Sequence, residues 1–343
     1  MLTHDLPAIA FPADIYMLQF KAGERTLIEL ADRPDRNRAI TLFELTPDTA
    51  LDIDNFDSLL REYVTTSAWF LYVDGSLKST VLPCRYQLMH AEQWVTSHFL
   101  SLRPPRVRTH LYAFEHLYFY LPKGATYSIR LTSYDVLGGQ LRTQDYALPS
   151  AAPNNMIMGY RIFVDDWLGI KYSEGYFSIR AVVTIKPASG TNYQITQEFV
   201  SEGMRGEAGD IFYTNGFGVP ERLDIAQLTH QHHATPQLAR INGRDTVVRT
   251  DSYEEFEVVS FPLTDTETFR VSDILHSRST QLTVYALDHS LDHPHTAKHE
   301  VYPTGGDLKL TRDAYTAPRA VLQLRTVRPV PDIDWLCTGM PLL

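Results

Sequence analysis

Histidine is the residue type whose clustering in this sequence most directly suggests chemistry. Four imidazoles and two carboxylates lie between residues 288 and 299, and the imidazoles are those of His289, His293, His295 and His299. Neutral imidazole is the commonest metal-ligating side chain, so zinc, nickel or iron could bind here. The segment Asp288–Glu300 is polar and lies between two apolar runs, which predicts a long loop or hairpin tip. Metal ligands normally come from rigid elements, so we expect a mobile tip that contacts a neighbouring subunit, with no metal or other cofactor.

Two further groups of titratable residues could do chemistry. The tract His230-Gln231-His232-His233 has no acidic residue close in sequence to orient its imidazoles, so we expect no metal site there either. The pairs Asp165-Asp166 and Glu254-Glu255 could suggest the two carboxylates of a glycosidase. Adjacent residues on a strand point to opposite faces, so neither pair can form an acid/base couple alone. We predict that these carboxylates are solvated charges at turns or strand edges.

Motifs that a reaction would impose are missing from the sequence. It contains no nucleophile elbow, phosphate-binding loop or zinc-protease helix. Gly216-Phe217-Gly218 is the nearest approach to a dinucleotide fingerprint, but no third glycine completes it. Asn215-Gly216 instead predicts a tight turn. We therefore predict that the chain is not an enzyme.

The elements that would position any site are mostly strands. Turn residues are evenly spread, and the runs between them are short and alternating. In Tyr127–Thr132, for example, Tyr127, Ile129 and Leu131 share one face, which is typical of a half-buried strand. Similar alternation occurs in three other segments, Tyr176–Ile185, Tyr193–Val200 and Ala320–Val327. These patterns predict an all-β fold of two β-sandwich-like domains.

Helices are predicted in only three places, of which Asp52–Val64 has the clearest apolar spacing. Shorter helices are expected at Ala91–Phe99 and Thr268–Ser277. The stretch Leu148–Asn155 combines prolines, asparagines and small residues without apolar periodicity, so we place the domain boundary there. The predicted domains are residues 1–150, with the helix at 52–64, and residues 151–343, with the His-rich loop at 288–300.

Composition limits the class of protein. The 343 residues carry a net charge of −10, and no window approaches the ~20 apolar residues of a membrane span. Nucleic-acid binding and membrane insertion are therefore not expected. The start of the sequence lacks the features of a secretory signal. The two cysteines, Cys84 and Cys337, exclude a disulfide scaffold and are more simply a buried hydrophobe and an incidental thiol.

Arginine and aromatic residues point to protein contacts. The tract Arg103–Arg108 is the densest basic segment, and in an acidic chain we expect ion pairs or subunit contacts from it rather than nucleic-acid binding. The run Leu111–Leu121 is apolar on both faces and must be covered on both, within the domain or by another subunit. The candidate interface residues are Tyr112, Phe114, Tyr118, Tyr120, Arg106 and Arg108.

The order of several motifs resembles a known family. The motifs, spread between Trp69 and Tyr285, are Cys84-Arg85-Tyr86, Ala91–Trp94, His98–Ser101, Arg106–Thr109, Phe114–Phe119, Asp210–Glu221 and Ile274–Ser277. Together they are similar to tail-associated structural proteins of phages and prophages of Bacteroidetes. The resemblance implies a non-enzymatic component of a tail tip, baseplate or hub ring in the virion, built in the host cytoplasm. Its implied partners are other copies of itself, in a ring-like homo-oligomer, and other tail proteins.

A glycan-binding or glycan-cleaving β-sandwich is the alternative function. Exposed tryptophans or tyrosines would serve such a protein as platforms for sugar rings. The four tryptophans are scattered along the sequence and are more simply read as core or interface residues, namely Trp69, Trp94, Trp167 and Trp335.

Overall fold

The structure, a computed structural model, shows a β-dominated protein and confirms the all-β class. Among the helices it describes, none has the length and apolar composition that a bilayer crossing requires. The described residues are 2, 4–36, 38–86, 89–111, 113–147, 150–164, 176–202, 208–241, 244–264, 267–277, 279–286, 295–304, 311–313 and 316–327.

The chain forms two compact units. Unit 1 consists of Met1–Gly203 together with Asn215–Pro220, and unit 2 consists of Met204–Thr214 together with Glu221–Leu343. This division differs from the predicted boundary near residue 150. The predicted linker lies inside unit 1, because β-strands on its two sides pair with each other: Met156–Phe163 with Phe114–Leu121, and Tyr176–Lys186 with Thr126–Asp135.

Among the described residues, unit 1 contains fourteen strands and three short helical segments. Its helices are a 3-10 turn at Pro12–Asp14, α1 (Phe56–Tyr63) and α2 (Ala91–Ser97). Its strands are β1 (Ile9–Ala10), β2 (Leu18–Phe20), β3 (Thr26–Ala31), β4 (Ile40–Leu45), β5 (Leu51–Ile53), β6 (Trp69–Val73), β7 (Ser76–Val81), β8 (Arg106–Arg108), β9 (Phe114–Leu121), β10 (Thr126–Asp135), β11 (Gln140–Ala147), β12 (Met156–Phe163), β13 (Tyr176–Lys186) and β14 (Tyr193–Glu202).

The strands of unit 1 form two five-stranded sheets and two pairs. One sheet has the order β1-β7-β6-β3-β4, the other has the order β11-β10-β13-β14-β8, and the pairs are β12-β9 and β2-β5. The largest core contains Leu117 and Phe119 of β9 and the inward residues of β10 and β13, including Ile129 and Val183. The five-stranded sheet that contains β10 and the β12-β9 pair thus share one apolar core. This arrangement agrees with the sandwich-like prediction for this part of the chain.

Helix α1 begins later than predicted. Ile53 belongs to β5, and Asn55 adopts a left-handed conformation with φ +58° that separates the strand from Phe56, where the helix begins. Phe56 and Leu60 then bury one face of α1 against β-strand residues such as Leu30. The predicted start at Asp52 was wrong because the apolar spacing continued through two different elements.

Unit 2 is a closed barrel rather than a sandwich. Six strands surround it in the order β15-β16-β17-β22-β19-β18. Its helix is α3 (Thr268–His276), and its strands are β15 (Gly209–Thr214), β16 (Pro220–Ile241), β17 (Arg244–Ser260), β18 (Thr280–Ala286), β19 (His295–Pro303), β20 (Thr311–Asp313), β21 (Thr316–Arg319) and β22 (Val321–Thr326). The closure removes the free edges that an open sheet of these strands would expose.

Strands β16 and β17 are far longer than the barrel needs. They have 22 and 17 residues, and they pair from Ile225↔Ser260 out to Ile241↔Arg244. Strand β22 pairs with β17 only over Glu255–Val259. In the described residues, His232–Ile241 and Arg244–Glu254 therefore form a two-stranded ribbon, which we call the arm.

Candidate functional site

The two histidine-rich tracts of the sequence meet at one buried carboxylate. Glu254 is only 3% exposed, and it lies on the inner face of the barrel wall at the base of the arm. His230 Nε2 lies 3.3 Å from its Oε1 atom, and His299 Nδ1 lies 3.1 Å from its Oε2 atom. His232 is directly opposite Glu254 in the β16–β17 register. We call these four residues the Glu254 cluster.

The structure corrects two sequence predictions at this place. The tract at 230–233 does have acidic partners, because strand pairing brings β17 beside it. Glu254 is buried rather than solvated, because the inward residues of β17 face the barrel interior. Adjacent residues do point to opposite faces, since Glu255 contacts a separate set of partners.

Two imidazoles of the cluster contact the ring of Phe256. The His230 ring stacks on Phe256 with a centroid separation of 4.8 Å and an interplanar angle of 11°. His299 approaches the same Phe256 ring at 5.0 Å. The backbone amide of Glu254 donates to Thr326 Oγ1 at 3.1 Å, which ties the cluster to the end of β22. The cluster therefore links strands β16, β17, β19 and β22.

The electrostatics of the cluster favour an ionised carboxylate. The hydrogen bond to His299 lowers the pKa of Glu254, burial opposes it, and the positive potential of His299, His230 and His232 lowers it further. On the opposite face, the Arg325 guanidinium holds the pKa of Glu255 below its usual value through a hydrogen bond from Nε of 3.1 Å. Both carboxylates therefore carry charge near neutral pH, and neither has the raised pKa of a general acid.

Of the four histidines considered as candidate metal ligands between residues 288 and 299, the structure places two. His299 lies in β19 and belongs to the Glu254 cluster, and His295 is the first residue of the same strand. Residues 295–300 are therefore strand, not loop, because they pair with β18 from Gln281 to Ala286. His289 and His293 lie outside the described residues, as do Asp165 and Asp166.

A second charged group lies inside unit 2. Arg222 Nη1 donates to Asp210 Oδ1 at 2.6 Å and also bonds Asp224, and all three side chains are buried. Tyr285 donates its hydroxyl to Asp210, and burial with this carboxylate raises the pKa of the phenol. The buried Arg222 guanidinium pairs with both aspartates and offsets part of their negative charge, which is typical of a structural ion-pair group.

The predicted turn at Asn215-Gly216 is present and inserts an aromatic residue into unit 1. Asn215 accepts hydrogen bonds from the backbone amides of Phe217 and Val219 and donates one to the Leu100 carbonyl at 3.0 Å. The Phe217 side chain is fully buried and contacts three rings, those of Phe11, Tyr86 and Trp94. The glycines therefore serve a packed turn, as predicted, and no phosphate loop.

The candidate interface residues have different environments. Phe114 and Tyr118 are half-buried, and Phe114 packs edge-on against Phe163. Tyr120 is 1% exposed and belongs to a core of unit 1, so its predicted place at a subunit contact was wrong. The burial pattern of β9 gives the reason, because the chain itself covers both faces of the strand near Tyr120. Of the two expected ways to cover this strand, within the domain or by another subunit, the first applies at Tyr120. Tyr112 lies outside the described residues.

Arginines of the basic tract Arg103–Arg108 form ion pairs with glutamates of unit 1. Arg103 Nη1 lies 3.1 Å from Glu115 Oε2, and both side chains are buried. Arg106 is exposed and pairs with Glu198 at 3.1 Å, and Arg108 is half-buried. The expectation of ion pairs is confirmed for Arg103 and Arg106. Cys84 is buried, as predicted, and its thiol donates to the Tyr86 carbonyl.

Comparison with protein-family models and with curated proteins finds no match for this chain. Sequence reasoning missed the Glu254 cluster and the Arg222 group, because their members come from strands that meet only when the barrel closes. Alternation gave one usable signal, since it puts His230 and His232 on one face of their strand and Glu254 and Phe256 on one face of theirs.

Proposed function

We propose that the chain is a non-enzymatic structural component of a phage or phage-like tail, at the tail tip, baseplate or hub ring. It assembles with itself and with other tail proteins in a virion or tail-like particle, after synthesis in the host cytoplasm. The resemblance in the sequence gives the class of particle. The arm is the observation that supports an assembly role.

The arm has the properties of a segment made for a partner. Its ten residues on β16 extend about 34 Å at ~3.4 Å per residue. Isolated two-stranded ribbons are marginally stable in water, and free strand edges pair readily with other chains. Most described side chains of the arm on β16 are exposed, and Leu238 is 61% exposed. A neighbouring copy that adds strands to the arm would satisfy its backbone edges.

The test removes the arm and measures particle size. Residues 235–251 are replaced by Asn-Gly, which joins Ala234 to Ser252, two residues that are directly opposite each other in the register. We expect the full chain to form an oligomer by light scattering and ring-shaped particles by electron microscopy, and the shortened chain to be monomeric. Circular dichroism checks that the barrel is retained.

The control replaces the exposed Leu238 with serine in the full-length arm, which keeps the backbone edges that pair with a partner. We expect this variant to assemble, since strand addition depends mainly on main-chain hydrogen bonds. A full chain that stays monomeric at tens of micromolar, or a shortened chain of unchanged particle size, refutes the proposal.

Glycan binding is a second candidate, favoured by one groove in the wall of the barrel. The groove encloses about 110 Å³ and is lined by Thr229, Gln231, Glu255, Phe256, Glu257, Thr304, Gln323 and Leu324. Amide and carboxylate groups of this kind bind sugar hydroxyls. Trp94 is buried and Trp69 half-buried, so neither forms an open platform. A glycan array tests this candidate, and binding that Gln231→Ala and Gln323→Ala abolish would support it.

A further inference from the structure

The Glu254 cluster lies where the arm leaves the barrel. Beyond Glu255, β17 has no pairing with β22 in the described residues, and the arm begins. His299 comes from β19 and reaches Glu254 past the end of β22, so this contact joins the arm to the β18–β19 hairpin. A change in the strength of the Glu254–His299 contact therefore changes how firmly the base of the arm is fixed to the hairpin.

A metal ion does not account for the cluster. Among the described residues, its donor atoms do not converge as the ligands of one ion do, since His230 and His299 approach different oxygens of the carboxylate. This bracketing geometry instead suits proton binding, because each imidazole can form a charge-assisted hydrogen bond with its own oxygen.

The groups that act on Glu254 in the described residues come from two strands. They are His299 of β19, and His230 and His232 of β16, while β22 contributes the uncharged Thr326 hydroxyl. Glu255, His233 and Arg325 form a separate set on the other face. Since its partners lower the pKa of Glu254, the carboxylate stays ionised between pH 6 and 8. Histidine is the side-chain type that ordinarily changes charge near pH 6.5, whereas carboxylates do so at lower pH.

We propose that the Glu254 cluster is a proton-operated latch, which fixes the arm to the β18–β19 hairpin at mildly acidic pH and loosens it at mildly alkaline pH. Protonation places imidazolium groups around a carboxylate that burial has deprived of water. Hydrogen bonds between charged partners are about twice as strong as neutral ones. Above neutral pH the same carboxylate keeps its charge but has only neutral partners.

The latch rests on the proposed function only in that the arm is taken to bind a partner during assembly. The latch itself forms within one chain and requires no partner. Hydrogen exchange of the full chain measures it directly, at pH 6.0 and 8.0 with EDTA present and with rates corrected for intrinsic exchange. We expect peptides covering Thr229–His233 and Ser252–Phe256 to be about tenfold better protected at pH 6.0, which corresponds to ~1.4 kcal/mol. Peptides from β13 in unit 1 should show no such difference.

Variants identify the groups responsible. Glu254→Gln should reduce the ratio of protection at pH 6.0 to that at pH 8.0 from about ten to about one. The double variant His230→Gln/His299→Gln should do the same, and it replaces the first variant in the test if Glu254→Gln loses protection throughout the barrel. Glu257→Gln is the matched control, because this exposed glutamate lies on the same strand but on the outer face, and it should keep the full ratio.

Three results would overturn the latch. They are a wild-type ratio near one, an unchanged ratio in both the Glu254→Gln and the double-histidine variants, or a ratio that appears only when EDTA is replaced by Zn²⁺. Assembly is measured separately by light scattering on the arm deletion. A failure of the proposed function is thus distinguishable from a failure of the latch.

Discussion

Replacing Phe217 with alanine should strongly destabilise unit 1. The side chain is fully buried, and the other members of its core are Phe11, Ala68, Leu82, Cys84, Ala91, Trp94, Val95, Leu100, Tyr120 and Val219. Truncating a buried phenylalanine costs about 3–5 kcal/mol, and side chains that lose several aromatic contacts lie high in that range. Ring centroids lie 5.3, 5.6 and 5.8 Å away in Tyr86, Trp94 and Phe11. We therefore expect a loss of about 4–5 kcal/mol, at the upper end of the range.

Calorimetry and urea denaturation followed by tryptophan fluorescence measure this loss. For a unit of this size, 1 kcal/mol corresponds to about 2–4 °C, so the melting temperature of unit 1 should fall by roughly 10 °C or more. Phe269→Ala is the control, because this ring on α3 is 58% exposed and should cost less than about 0.5 kcal/mol. A loss below 1 kcal/mol for Phe217→Ala, or one equal to the control, would refute the argument that the turn completes a core.

Three further predictions concern the backbone, a buried ion pair and acid stability. Gly218→Ala should lower the free energy of unfolding by at least about 2 kcal/mol, because φ is +71° and the new Cβ would lie 2.1 Å from a backbone carbonyl oxygen. Gly23 is the control, because its φ is +77° but the space around it is open. Gly23→Ala should cost about half as much in the same denaturation assay. Arg103→Met removes the cation that lies 3.1 Å from the buried Glu115 carboxylate, so the free energy of unfolding of unit 1 should fall by about 3–5 kcal/mol. A change below about 1 kcal/mol would contradict this expectation. The lowered pKa of Glu254 stabilises the fold above its ordinary value of 4.5, and this contribution is lost as pH falls through the folded pKa. Unfolding free energies measured between pH 5 and 3 should therefore fall more steeply in the wild type than in Glu254→Gln, and parallel curves would count against it.

Local alternation was enough to predict the class of fold. Tyr127–Thr132 lies within β10, where Ile129 and Leu131 are fully buried and Arg130 between them is exposed. Such a pattern depends on each residue and its near neighbours, so it is visible in the sequence. The same reasoning predicted the turn at Asn215-Gly216, because that dipeptide suits the backbone of a tight turn.

Long-range pairing was beyond the reach of the sequence patterns. Glu254 and His299 are 45 positions apart and meet only because β22 pairs with both β17 and β19. The stretch around Pro149 has the composition of a linker, yet the strands on its two sides share one core. Composition indicates the local conformation that a segment prefers, whereas its membership of a domain depends on contacts between residues distant in the sequence.

The segment Asn215–Pro220 also has a consequence for biosynthesis. A ribosome delivers the chain from its N-terminus, but the core that Phe217 completes belongs to unit 1, whose other strands end at Glu202. Until residue 220 has emerged, a nascent chain carries Trp94 and Tyr86 beside an unfilled space, for about a second or more at ordinary elongation rates. Fragments cut near residue 203 would keep that defect permanently, and we expect them to need chaperones or to aggregate where the uninterrupted chain does not.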